Sequence, residues 1–419
     1  MMSFLLPLLF VMTGVSDSLQ QQPPAQLAVP PHNMATLMAA EDSRIDSTHT
    51  RQLAVEIEGL TFFKDNEYEG RHTHGYSLPG FWLRPRLTWQ PLSALRLELG
   101  AHALVFDGAN KYPCYAYHDI GHWKGNQYQR GAHVLPFFRA TAVLGKTTFV
   151  LGDIYGGAAH GLMEPLFAPE VNLTQDPEMG VQIMHCRRHF NMDVWLNWQS
   201  YIFEEDTHQE AFTVGLSLRH WIGRGLGRVK WYIPVDVVVQ HRGGEQDLPE
   251  LELGVQTLCN AGAGVGMRWQ PTCRAVESVD ASAAALGAYQ QSGSLWPFDT
   301  GWAATAAAET SLRCGVRAYG RVLTARDFVP LYGVPFFGTL SYTGDGGHFD
   351  GVTTTQIGVE WSHTFARDYM LGAKAETYIS HTGQLTSNTG ITSPSRWNND
   401  FSFGIYLRIR PRFILKDRL

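Results

Sequence analysis

The chain predicts an all-β fold, a single closed antiparallel transmembrane β-barrel of about 16 strands with short periplasmic turns and long extracellular loops. Three observations carry this. Apolar and polar residues alternate with period two from about Leu53 to the C-terminus. The connections between alternating stretches sort into very short and long. No window of 18 uninterrupted apolar residues follows the N-terminus, which leaves strands to cross a bilayer.

The N-terminus precedes the barrel. Residues 1–18, MMSFLLPLLFVMTGVSDS, hold an apolar run of signal-peptide length, although the first basic residue is Arg44. Residues 19–50 begin SLQQQPPAQLAVPP, a Gln/Pro-rich composition that predicts a flexible segment. Residues 51–419 form the barrel.

Strands are expected near 53–63, 79–90, 94–106, 134–144, 147–156, 178–188, 191–204 and 209–221. Eight more follow near 227–241, 251–270, 275–290, 302–312, 314–328, 353–366, 370–382 and 398–412. FWLRPRLTW (81–89) shows the pattern, with Phe81, Leu83, Leu87 and Trp89 opposite Arg84 and Arg86. Arginine on a lipid-facing midplane position costs about 2–4 kcal/mol. The apolar set is therefore expected against lipid and the arginines in the lumen. In the strand near 191–204, Trp195 interrupts the polar side. Trp89, Trp221, Trp231, Trp269 and Trp361 lie near strand ends and suit interfacial girdles.

The connections alternate as membrane barrels require. LSA near Leu92, GK at Gly145 and ARDY at Ala366 are short, whereas GANKYPCYAYHDIGHWKGNQYQRG and GAAHGLMEPLFAPEVNLTQDP are long. An even strand number returns the two termini to one side. The location implied is the bacterial outer membrane, with outer-membrane lipid as the surrounding partner.

Composition agrees. Charged residues are 17%, Gly 42 and aromatics 12%, and the net charge is −6 with no basic cluster, which excludes a nucleic-acid footprint. The five cysteines, Cys114, Cys186, Cys259, Cys273 and Cys314, show no CxxC spacing, so unpaired thiols are expected over a disulfide framework.

Four stretches carry a family resemblance: GYSLPGFWLRPRLTWQPLSALRLELGAHAL, LGDIYGGAAHGLMEPLFAPEVNLTQDPEMGVQ, NWQSYIFEEDTHQEAFTVGLS and QQSGSLWPFDTG. They resemble porin-like outer-membrane proteins of the Bacteroides type, over nearly the whole chain after residue 50. The resemblance implies an exported membrane barrel and no settled substrate.

Motifs that could carry chemistry read as structural. GAGVG (262–266) and GRGLG (223–227) mimic nucleotide loops, but no helix follows, so small residues in strands and turns are expected. HTH (72–74) and HDIGH (118–122) lack acidic or thiol partners at metal spacing, so solvated loop histidines are expected. No GxSxG elbow appears, and no spacing pairs a serine with a histidine at a lipid interface. YPCYAYHDIGHW, LWPFDTGW and DFVPLYGVPFFGTLSY are aromatic-rich loops expected to stiffen one another.

The functional expectation is a porin-like channel for small hydrophilic solutes, without enzymatic activity, metal or cofactor. Its lumen would be lined by Arg84, Arg86, Arg96, Glu98, Arg219, Lys230, Asp236, Glu360, Lys374, Glu376, Arg408 and Arg410. Closure of the barrel should bring Arg84 and Arg86 near Arg408 and Arg410. A homotrimer is one assembly such a barrel could form. The alternatives are a plugged barrel with a structural or glycan-binding role and, behind it, a barrel lipid hydrolase.

Overall fold

Sixteen strands form the wall in the computed structural model, which describes residues 34–106, 132–202, 209–223, 228–244, 254–343, 346–366 and 368–417. The strands are β1 (Leu53–Glu69), β2 (His74–Leu92), β3 (Leu95–Phe106), β4 (Ala132–Leu144), β5 (Thr147–Asp153), β6 (Met179–Arg187), β7 (Phe190–Ser200) and β8 (Ala211–Ile222). They continue as β9 (Val229–Arg242), β10 (Gln256–Trp269), β11 (Val276–Ser292), β12 (Thr300–Leu312), β13 (Val316–Arg326), β14 (Val352–Ala366), β15 (Tyr369–Thr382) and β16 (Arg396–Ile409). Each pairs antiparallel with its sequence neighbours, and β1 closes the sheet against β16 from Gly59↔Ile409 to Glu67↔Phe401. A terminal piece, Arg412–Lys416, continues the last strand along Leu53–Glu56. No helix among the described residues is long and apolar enough to cross a membrane.

The wall has the polarity of a membrane barrel. Phe81, Leu87, Trp89, Leu99, Phe138, Leu151, Ile357 and Ile405 are exposed outside, while their polar neighbours Arg86, Thr88, Glu98, Arg139, Gln356 and Glu360 are buried inside. The strand 81–89 thus turns its arginines to the lumen. Trp89, Trp231, Trp269 and Trp361 sit exposed near strand ends, but Trp221 does not join them. It shares the inward parity of Thr213, Ser217 and Arg219 and packs against Tyr232, with ring centroids 5.0 Å apart.

Connections at 93–94, 145–146, 188–189 and 367–368 contrast with those at 154–178 and 327–351. One expected long connection is short. The first hairpin extends beyond 63 and 79 to Glu69↔His74 and closes at 70–73. KDNEYEG reads as loop because Asp65 and Glu67 put charge on the outward face of β1, where the alternation would ask for apolar residues.

GAGVG lies in β10, where Gly266 leaves room for the Tyr232 ring, which a Cβ would meet at 2.0 Å. Most of GRGLG, together with HDIGH and Cys114, lies outside the described residues. Cys186, Cys259, Cys273 and Cys314 are free thiols. The expectation of solvated loop histidines fails for His72. It is fully buried between the rings of Phe336 and Phe349 (5.3 and 4.9 Å), and burial, helped by Arg71, pushes its pKa down to about 3.

The lumen is filled. The 154–178 connection folds inward, burying Leu166, Val171 and Leu173, and the 327–343 segment buries Phe328, Phe336 and Phe337. From the other end, residues 34–50 enter as well. Met34–Ala39 is a short helix and Met38 joins the same apolar cluster, so this part of the Gln/Pro-rich segment is docked rather than flexible.

Candidate active site

The interior charges form separate clusters rather than one lining. In the periplasmic half, Arg84 and Arg86 face Glu58 of β1 at 3.7 and 3.4 Å, and Arg410 pairs with the same carboxylate from the other side. Closure through β1 therefore brings Arg84, Arg86 and Arg410 to one residue. Glu98 lies among Arg96, Arg86 and Arg139 at 3.3, 3.5 and 3.8 Å, and Arg408 donates to the Leu37 carbonyl at 3.2 Å. Further round, Arg219 pairs with Asp236 at 2.7 Å and donates to the Gly161 carbonyl, while Asp236 accepts from the Met163 amide. This pair anchors the inward loop. Lys230 faces the lumen half-buried, in register with Arg268. Glu360 pairs with Arg317, and Lys374 with Glu376 at 2.6 Å.

Lys374 and Glu376 belong to the cluster best built for chemistry. In register across β1, β16 and β15, Lys64 stands beside Gly404 and Gly404 beside Lys374. Gly404 makes room for the Tyr406 ring, whose hydroxyl a Cβ would meet at 2.4 Å, and beside that ring lies a cavity of about 30 Å³, room for one or two waters, lined by Lys64, Tyr76, Glu170, Lys374, Glu376 and Tyr406 among others. Glu170 enters from the inward loop. Lys64 and Tyr76 donate to its two carboxylate oxygens, and the Asn66 amide donates to it at 3.2 Å. Lys64 also reaches Asn66 Oδ1 at 2.7 Å, where the Tyr68 hydroxyl donates too, at 2.9 Å. Glu376 accepts from Tyr319 and Gln356 at 2.9 and 3.0 Å.

This group lies in the outer half of the wall: Phe63 is the last exposed apolar residue of β1 before Asp65 and Glu67, and the apolar surface of β16 runs two rows further, through Phe403 and Phe401. A carboxylate beside an ammonium, a phenol and a void of water size can activate water and receive a developing oxyanion. Sequence reasoning named Lys374 and Glu376 but missed Lys64, Asn66, Tyr76 and Glu170. Extending the inward parity of Glu56 and Glu58 along β1 would have found Lys64 and Asn66.

A third cluster is a locked cation. His160 donates from Nδ1 to Asp193 at 2.8 Å and from Nε2 to Glu178 at 3.1 Å, and its ring stacks on Trp195 with centroids 3.6 Å apart. Gly215 makes room for that indole, which a Cβ would meet at 2.0 Å. Trp195 thus has a reason to break its strand's alternation. Burial opposes the charged ring, but Glu178 and Asp193 push its pKa up to about 9. With both nitrogens donating, His160 is a strut and not a base. On the outer wall, Thr–His pairs stand at both rims: His241 Nδ1 with Thr257 Oγ1 and His185 Nδ1 with Thr147 Oγ1, each 2.9 Å. Both are direct cross-strand neighbours, an arrangement that occurs without regard to leaflet.

Wall polarity, closure and strand number define the class: a β-barrel protein of the bacterial outer membrane. Residues 45–418 match the Lipid A 3'-O-deacylase-type family, and the chain belongs to that family. Two expectations change accordingly. The membrane-barrel part of the earlier resemblance stands, whereas its Bacteroides-type attribution has no support from this match. The expectation of no enzymatic activity is overturned, since the family is named for an enzyme.

No curated protein matches the chain. Among solved structures, OccAB3 of Acinetobacter baumannii is 9% identical over 86% of this chain and 99% of its own, with a TM-score of 0.47. OmpT of Vibrio cholerae in its trimer form is 10% identical over 85% and 99%, with a TM-score of 0.44. An anion-selective porin from Comamonas acidovorans is 9% identical over 86% and 100%, also at 0.44. Likenesses this distant bear on neither activity nor assembly.

Proposed function

We propose that the chain hydrolyses an ester-linked acyl group of a lipid A-type glycolipid at the level of the outer leaflet. The observation that carries this reading is the family match over residues 45–418. In the proposed step, Glu170 takes a proton from water in the Lys64–Glu170 cavity as that water adds to the acyl carbonyl. Lys64 donates to the oxyanion with the N–H left over from Asn66 and Glu170, and Tyr76 joins it by releasing Glu170 once that carboxylate has taken the proton. Collapse expels the sugar alkoxide, which takes the proton from Glu170, and a fatty acid leaves. The position of the cavity in the outer half of the wall supports the assignment. Free diffusion of solutes would need a continuous path, and the inward loops and residues 34–50 fill the lumen where it is described.

The reading is tested with the folded protein in mixed micelles containing lipid A. Fatty-acid release is expected from the wild type and a loss of at least 100-fold in Glu170→Gln, within the usual 10²–10⁴-fold contribution of a general base. Release that persists in Glu170→Gln but vanishes in Thr257→Val would move the site to the outer wall. No release from the wild type would remove the reading altogether.

A further inference from the structure

The arginines on the periplasmic half of the wall point to an occupied binding site. Glu41, in the segment leading to β1, places its carboxylate among three guanidiniums. Arg84 donates to Oε1, Arg86 to Oε2 at 2.8 Å, and Arg139 to Oε2 at 2.7 Å and Oε1 at 3.4 Å. Other wall residues grip the same segment by its backbone. Arg408 donates to the Leu37 carbonyl at 3.2 Å, Arg410 to the Ala40 carbonyl at 2.6 Å, and Gln90 to the Asp46 carbonyl at 2.9 Å.

The wall holds these guanidiniums without help from the segment. Arg84, Arg86 and Arg139 stack on the Phe137 ring at 5.2, 5.6 and 4.9 Å, and Arg139 lies 4.0 Å from the Tyr155 ring centroid. Arg139 also donates to the backbone carbonyls of Asp153 and Ile154, and Glu58 and Glu98 stand behind Arg84 and Arg86. Aromatic faces and the Asp153 and Ile154 carbonyls thus orient these guanidiniums, and the acids behind them, Glu56, Glu58 and Glu98, are shared with Arg96, Arg410 and Arg412, so three carboxylates face six guanidiniums. Such a cluster is preorganised for a planar carboxylate. Burial alone would raise the Glu41 pKa, yet Arg139, Arg84 and Arg86 hold it well below the usual carboxylate range.

We propose that Arg84, Arg86 and Arg139 form a carboxylate-binding site in the lumen, that Glu41 is its built-in occupant, and that residues 37–46 are a docked stopper which a free carboxylate can replace at that site. This is independent of the hydrolase reading, because it involves neither Glu170 nor its cavity. Glu41→Ala in the full chain removes a group the size of acetate and leaves the arginines in place.

The test is thermal unfolding of wild type and Glu41→Ala in detergent, in sodium acetate against sodium chloride at equal ionic strength. The variant is expected to melt several degrees lower and to regain most of that loss with saturation in acetate. Wild type should respond to the two salts alike, and Glu41→Ala/Arg139→Gln should show no acetate response. Trypsin should cut the variant at Arg44 and Arg51 faster than the wild type, and acetate should not re-dock the segment. Equal melting of variant and wild type, or an acetate response of the same size in both, would overturn the proposal. Should Glu41→Ala fail to fold in chloride, recovery on folding in acetate supports the proposal, and failure in both salts overturns it.

Discussion

Leu99 and Glu98 are neighbours on β3 with opposite surroundings, and a charge at Leu99 tests which side faces lipid. Leu99 is 61% exposed, opposite Leu87 on β2 and Phe138 on β4, both also exposed. The Trp89–Leu97 row lies below it toward the periplasmic interface, so Leu99 sits short of the midplane. An arginine there can snorkel toward the periplasmic headgroups, which places Leu99→Arg in the lower part of the 2–4 kcal/mol range, at about 2–3 kcal/mol. At about 1.4 kcal/mol per decade, the folding constant falls roughly 30- to 140-fold. The assay is reversible denaturant unfolding from phospholipid vesicles, with Lys230→Gln as a lumen-facing control expected to stay within about 0.5 kcal/mol. If Leu99→Arg also stays within about 0.5 kcal/mol, the exposed apolar face does not meet lipid and the membrane assignment fails.

Further outcomes follow from the filled lumen. Arg139→Ala strips a cation from the buried Glu98 and the partly buried Glu41 and should cost about 3–5 kcal/mol in the same unfolding assay. Arg84→Glu with Arg86→Glu, harmless on an open aqueous wall, would set carboxylates against Glu41 and Glu58 and should destabilise the barrel by at least as much. His160 has a folded pKa of about 9, above its unfolded value near 6.5. Its stabilisation is therefore complete below about pH 6.5 and lost as pH rises through 9, and the stability difference between wild type and His160→Gln should shrink over that window. In planar bilayers the wild type should show no large steady conductance, and porin-sized steps would contradict the packing of the inward segments. A protease site inserted at Thr389 should be cut on intact cells and one at Gly145 should not; equal behaviour would reverse or void the topology.

What the sequence discloses is the wall, because a lipid-facing strand must separate its residues by parity. Leu95 to Ala103 and Phe401 to Ile409 could be read residue by residue for that reason. At the outer end of β1 the alternation lapses, and Lys64 to Glu69 pair as strand without looking like one. The lumen was legible only as polarity. Arg84, Arg86 and Arg410 could be placed inside and near one another, but their partner Glu41 lies in a segment whose composition suggests disorder. The candidate active site draws Lys64, Tyr76, Glu170 and Lys374 from four separate stretches, with Glu170 on a loop that could equally have projected outward. No spacing along the chain records such a meeting, and His160 was hidden for the same reason.

The central claim is ester hydrolysis on lipid A, and mass spectrometry of the lipid tests it most directly. Lipid A incubated with the folded wild-type protein should lose the mass of one ester-linked acyl chain and gain one hydroxyl at the 3' position, while Glu170→Gln leaves it intact. Lipid A recovered unchanged from the wild type, or changed equally by both proteins, would contradict the account.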